Sequence, residues 1–154
     1  MAQPGLKVKQ KWLKLMRGGR KSTEVRSYPP CWFRTRMLLP GDRFCLLCGG
    51  EVWGSAQYQG LVVYDTVEAL ARDEQRHALA SGGGAITQEF HAQLAEGKLL
   101  YGWQLADFRW HAQPRPRSGE AGVPAFKGQA FGWVWSPLLP ASLSAPSRNS
   151  EERP

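Results

Sequence analysis

The stretch Gly19-Arg20-Lys21-Ser22-Thr23-Glu24-Val25-Arg26 constrains this chain more than any other. A helix-like segment runs into Gly18-Gly19, and a strand-like segment leaves it. Alternate residues of a strand share a face, so Glu24 and Arg26 point the same way, with Ser22 beside them. Lys21 comes off the turn and can swing over that face. A cluster of alternating charge results, carried on a strand and reached from a loop. Such a cluster can grip a phosphate, a carboxylate or a nucleobase edge. It can equally tie a helix to a sheet by salt bridges.

The flanks sharpen this reading. The spacing of Trp12, Leu13, Leu15 and Met16 predicts a helix over Gln10–Arg17 with one apolar stripe. Lys9, Lys11, Lys14 and Arg17 occupy much of the rest, and Lys14 and Arg17 suit the negative end of the helix dipole. Gly18 and Gly19 stop it, one of them in the left-handed conformation. Leu6–Val8 reads as a short strand after a loose tail at residues 1–5. The Gly-Gly-Arg-Lys-Ser-Thr run is not a phosphate-binding loop. That loop needs glycine directly before the lysine and a helix after it, whereas Arg20 precedes Lys21 and a strand follows.

Charge is unevenly placed. Residues 1–36 hold ten Lys/Arg against the single acid Glu24, residues 37–100 hold four against eight, and residues 101–154 hold six against four. The overall excess of +7 is therefore concentrated around the opening helix and the Lys21–Arg26 stretch. A polyanion is the partner that such a distribution suits first. A solvated helix face is the competing explanation. With 154 residues and 42% hydrophobic composition, the chain suits one domain with a real core. No uninterrupted apolar stretch is long enough to cross a bilayer, and no secretory signal is visible, which leads to the expectation of a cytoplasmic or nuclear protein. Cys45-x-x-Cys48 is half of a zinc pattern without its second half, so Cys31, Cys45 and Cys48 read as small core residues. His77, His91 and His111 stand in no metal spacing, and no metal or cofactor is expected.

Downstream, short strands are predicted at Arg43–Leu47, Glu51–Tyr58 and Leu61–Tyr64, the last as a buried strand after a break at Gly60. Thr66–Leu79 reads as a helix, Ser81–Gly84 as a flexible joint, and Ile86–Leu94 as a second helix capped by Thr87. Leu99–Trp110 reads as a long strand, residues 113–124 as a loop, and Gln129–Trp135 as a closing strand. The domain is placed at residues 6–136, with a disordered Ser/Pro-rich tail at 137–154. This order is α+β around a mixed sheet.

Gly19, Lys21, Glu24 and Arg26 occupy the fixed positions of the signature Gly-x-Lys-x-x-Glu-x-Arg, and on them the chain resembles the ASCH family. Tyr101–Asp107, followed by a Pro-rich turn and glycines, resembles the family's closing strand. The resemblance extends over roughly residues 6–135. It implies a small PUA-like β-barrel of the ASCH type, with a short N-terminal helix, a helical insertion and a cleft beside the signature. Small bacterial members hydrolyse the amide of acetylated cytidine with the motif Lys and a Thr nucleophile. This chain carries Glu24 at that Thr position, which removes the hydroxyl; Thr23 is adjacent but faces the other side of the strand. Nuclease activity is also associated with the family.

The resulting expectation is a module that binds RNA, single-stranded for preference, or a modified nucleoside. Its contacts would come from Lys14, Arg17, Arg20, Lys21, Glu24 and Arg26. Trp103 would offer a stacking surface, sharing a strand face with Tyr101; Trp133 with Trp135, and Tyr28 with Trp32, offer others. Any one of these aromatics suits the barrel core as well. Arg115 and Arg117 in the Pro-rich loop read as further backbone contacts or, equally, as solvated side chains. If the chain is an enzyme, a hydrolase of a modified nucleoside or of RNA, Lys21 and Glu24 are its catalytic pair. A third reading is a coactivator-like adaptor that meets an acidic protein and docks through its tail. The oligomeric state is not legible.

Overall fold

The structure, a computed structural model, describes residues 2–30, 38–116 and 133–137; for residues 2–4 and 133–137 it describes the backbone alone. The strands are β1 (Ala2–Lys7), β2 (Thr23–Arg26), β3 (Arg43–Cys48), β4 (Glu51–Tyr64), β5 (Leu100–Pro116) and β6 (Trp133–Pro137). The helices are α1 (Gln10–Arg17), α2 (Val67–Arg72), α3 (Glu74–His77) and α4 (Gly84–Ala95), with a 3-10 turn at Leu79–Gly82. The strands form one sheet in the order β2-β5-β4-β3-β1-β6, curled into a half-barrel. Its neighbours are antiparallel except β1 and β3, which run parallel with Leu6 opposite Leu46.

Helix α1 has the bounds that its sequence predicts. Trp12, Leu13 and Met16 are buried, and the lysines face out. Its C-terminus is a Schellman motif: Gly19 N–H donates to Met16 O at 3.0 Å and Arg20 N–H to Leu15 O at 2.8 Å. Gly19 holds the left-handed φ of +77° that closes it. This cap sets the direction in which Arg20 and Lys21 leave the helix. Ser22 then clamps the chain between elements: its N–H donates to Arg76 O at 2.8 Å, and its carbonyl accepts from Leu105 N–H at 2.9 Å. Strand β2 follows, with Glu24 opposite Trp103 and Arg26 opposite Tyr101 on β5.

Several expectations are corrected. Residues 2–5 are not a tail; they belong to β1 and pair with β6, Ala2 facing Pro137. Gly60 does not break a strand. A bulge between Tyr58 and Gly60 absorbs it, and β4 runs unbroken from Glu51 to Tyr64. Leu61–Tyr64 is not a buried run: Leu61 and Val63 are exposed while Tyr64 is buried, the alternation of a strand with one solvent face. The helix expected over Thr66–Leu79 splits at Asp73 and ends at Ala78, which takes a left-handed φ of 54°. Thr66 caps α2, its hydroxyl accepting from Ala69 N–H at 3.0 Å.

The joint at Ser81–Gly84 is structured turn and helix start, and Gly82 is packed. A Cβ there would lie 1.8 Å from Trp12 Cη2. Thr87 does not cap α4; it lies inside the first turn, and its hydroxyl is buried with no hydrogen-bond partner among the described residues. Strand β5 continues to Pro116, through the first part of the expected loop. The tail at 138–154 lies outside the described residues, as do Cys31, Trp32 and Arg117, and Pro137 ends β6.

Between β4 and β5 the helices form a compact corner. Tyr64 Oη donates to Asp73 Oδ2 at 2.6 Å. The buried His77 ring bridges two segments: Nδ1 accepts from Leu79 N–H at 3.1 Å, which leaves Nε2 to donate to Leu70 O at 2.7 Å. Both ring nitrogens are satisfied in the neutral form, and burial, the largest influence, lowers the His77 pKa accordingly. This corner matters because the His77 carbonyl reaches Lys21.

Candidate nucleic-acid interface

A pocket of about 540 Å³ opens where α1, β2, the end of β3 and the helical corner meet. Its wall is largely apolar, with Trp12, Val25, Leu47, Leu79, Ile86 and Phe90. Lys21, Glu24 and Arg26 supply the polar part, and Lys7 and Lys9 stand exposed at its margin. Four cations and one carboxylate thus line one cavity.

Lys21 is almost wholly buried. Its ammonium donates to Thr23 O at 2.9 Å and to His77 O at 2.6 Å, and sits 3.6 Å from Glu24 Oε1. It also stands 4.6 Å from the centre of the Trp12 ring, a cation–π arrangement. Burial pushes its pKa down, and the Arg26 charge adds to that; the Glu24 carboxylate opposes both. Arg26 is organised by three acceptors: Nε donates to Glu24 Oε2 at 2.8 Å, Nη1 to Tyr28 Oη at 2.9 Å and Nη2 to Lys7 O at 2.7 Å. Burial alone would lower its pKa, but Glu24 and Tyr28 outweigh burial and hold it above the ordinary value. Because β1 gives the carbonyl that receives Arg26, the cluster joins β2 to β1 across the open side of the half-barrel.

The sequence-predicted residues divide into two sets. Lys21, Glu24 and Arg26 come together as the strand alternation requires. Lys14, Arg17 and Arg20 do not line the pocket; they are exposed on and after α1. Arg17 is turned to β5, donating to His111 O at 3.1 Å and Ala112 O at 3.3 Å.

Trp103 is not a stacking surface. It is fully buried opposite Glu24, its indole N–H donates to Tyr28 O at 3.2 Å, and the Tyr28 ring meets it edge-on at 6.0 Å. Arg115 lies exposed in β5 and not in a loop. Cys45 is buried, with burial raising its thiol to about 12, and Cys48 lines the pocket as a free thiol. Among the described residues no group of three His, Cys, Asp or Glu could hold a metal ion, and no helix is long and apolar enough to cross a membrane.

Sequence reasoning missed Lys7, Lys9 and the apolar wall from α4. Lys7 and Lys9 carry a signal in hindsight: they flank Val8 in alternation, with only α1 between them and the Gly19–Arg26 stretch. Ile86 and Phe90 carry none, since their helical spacing reads as core.

No family model matches the sequence, and no curated protein matches it. Solved structures do match. The crystal structure of ASCH from Zymomonas mobilis superposes with a TM-score of 0.59 at 15% identity, over 86% of this chain and 85% of that chain. A variant of it with a tyrosine replaced by phenylalanine gives 0.57 at 15% identity, over 86% and 88%. A variant with a serine replaced by alanine gives 0.51 at 16% identity, over 75% and 70%. The chain is a PUA-like α+β half-barrel. Within that class its fold is the ASCH fold.

Proposed function

We propose that this chain binds single-stranded RNA or a nucleotide-like ligand in the pocket beside Lys21, Glu24 and Arg26. The observation that carries the reading is the pocket's two-sided lining: an apolar wall large enough for a planar base, and cations at its polar edge and margin. Trp12 and Phe90 would face the base. Lys7 and Lys9 would take the adjoining phosphates, and the exposed Lys14 and Arg20 would extend the attraction along the chain beyond the cavity.

Lys7 and Lys9 are the residues to test, because their side chains are exposed and only the Lys7 backbone serves the cluster. Anisotropy of a short labelled single-stranded RNA is measured over a range of salt. Wild-type affinity should fall with salt. A Lys7→Ala/Lys9→Ala variant should bind more weakly, with the log–log salt slope reduced by about 1.4, at roughly 0.7 per phosphate contact on a single strand. Absence of binding by the wild type at low salt would overturn the reading.

A second reading, hydrolysis of a modified nucleoside or of RNA, is favoured by the lowered pKa of the buried Lys21 amine in the same pocket. Its mark is turnover of an N-acylated nucleoside or of the RNA itself. That turnover should disappear in a folded Lys21→Met variant that still binds.

A further inference from the structure

One carboxylate oxygen in the pocket is held, among the described residues, by a long ion pair and no close hydrogen bond. Glu24 Oε2 accepts from Arg26 Nε at 2.8 Å. Glu24 Oε1 is paired with Lys21 Nζ at 3.6 Å, an ion pair longer than an ordinary hydrogen bond. The Glu24 side chain is 6% exposed and borders the cavity. An acceptor on a nearly covered side chain at the cavity's edge favours a ligand that brings it a donor.

Its neighbours limit what else that ligand carries. Two of the three Lys21 ammonium protons go to Thr23 O and His77 O, which leaves the third on the Glu24 side. Three of the five Arg26 N–H bonds go to Glu24, Tyr28 and Lys7, and two remain. The wall therefore runs donor, acceptor, donor from Lys21 through Glu24 to Arg26. The complementary edge carries one N–H with an acceptor on each side.

Resting on the nucleotide reading above, we infer that the pocket selects the imide edge of uracil, whose N3–H lies between the O4 and O2 carbonyls. Glu24 Oε1 accepts the N3–H, and the carbonyl oxygens take the remaining protons of Lys21 and Arg26. Cytosine fails at the centre, where its N3 lone pair meets the carboxylate. Guanine carries two adjacent donors, so one of them meets a cation. Adenine has the same order about its amino group, N7 and N1. Its donor projects beyond the ring and holds those acceptors back, so it ranks second. The ring itself lies against Trp12, Ile86 and Phe90.

The test uses the wild-type chain at low salt with three labelled RNAs of one length: oligouridine, oligocytidine and oligo(N3-methyluridine). Oligouridine should bind on the order of tenfold or more tighter than oligocytidine, and N3-methylation should remove that advantage. Equal binding of all three, or tighter oligocytidine binding, overturns the base selection and leaves the RNA reading standing. Failure of all three to bind at low salt overturns both. A Glu24→Gln variant, where it folds, should lose the uridine preference, because its amide presents donor and acceptor alike.

Discussion

Glu24 and Asp107 each stand between two cations, but under opposite conditions. Glu24 lies between Lys21 and Arg26 with 6% of its side chain exposed. Asp107 lies between Arg43 and Arg109 with 40% exposed, on β5 at a left-handed φ of 46°. At Asp107 one oxygen, Oδ2, serves both arginines, and Arg43 is further held by Ser55 Oγ at 2.7 Å. At Glu24 the two oxygens are divided, and one is left facing a cavity. Equal charge counts therefore yield different chemistry. At the second cluster Arg43 and Arg109 are largely covered while the carboxylate itself meets water, and the cluster fastens β3 to β5 with its anion partly screened. The buried cluster holds strongly interacting groups out of water, and this is the arrangement that makes the mutual positions of charges matter to a ligand.

The largest effect expected from this contrast is at Glu24. Glu24→Gln keeps the shape but leaves Lys21 and Arg26 without their shared anion, and it should destabilise the fold by about 3–5 kcal/mol in urea unfolding. A loss below that of the Asp107 variant described below would break the comparison.

Acid should come next. His111 is buried near Arg115, and burial first, then that charge, lowers its pKa to about 4. Burial lowers His77 as well. Both imidazoles are protonated more readily in the unfolded chain, whose histidines titrate near the ordinary value. The stability they contribute is present above about pH 6.5 and is lost as pH falls toward about 4. Unfolding free energies from urea titrations across that window should drop, by on the order of 2 kcal/mol for His111, and His111→Gln should flatten the curve.

A smaller effect is expected at Asp107, whose carboxylate is the exposed member of its cluster. Asparagine tolerates a positive φ, so Asp107→Asn removes charge without new backbone strain. It should cost about 1 kcal/mol or less, and added salt should shrink the difference from wild type. The smallest change belongs to Lys14→Ala on the solvent face of α1. Stability should stay within about 0.5 kcal/mol, while the salt slope of RNA binding falls by about 0.7.

What the sequence discloses about these regions follows from how local each feature is. Helix α1 and its ending are written in ten consecutive residues, an apolar stripe and two glycines, and the structure reproduces them. The shared face of Glu24 and Arg26 is a property of any strand, and it appears as expected. Lys21 was placed near them, but its burial was not legible, because one of its acceptors is the His77 carbonyl, far along the chain. Trp103 misleads for a related reason. Its alternation with Tyr101 is real, yet Tyr28 and β2 cover it, and that cover is a matter of strand register. Gly60 reads as a stop because glycine weakens strands locally, while the ladder to β5 carries β4 past it. The contrast between Glu24 and Asp107 is wholly tertiary.

The pairing of β1 sets an order of events. This strand lies between β3 and β6, so its second partner is made only when residues 133–137 exist. Lys7, Val8 and Lys9 continue directly from β1 into the pocket, and the Lys7 carbonyl receives Arg26. During synthesis, then, the signature strand, the helices and β5 are all available well before the pocket's first wall is flanked on both sides. Contacts between segments far apart in sequence close slowly. A ribosome-bound chain stopped before Trp133 would present the charged cluster on an unfinished scaffold. The strand that carries the pocket's charges thus precedes, by most of the described sequence, the strand that flanks the pocket's first wall.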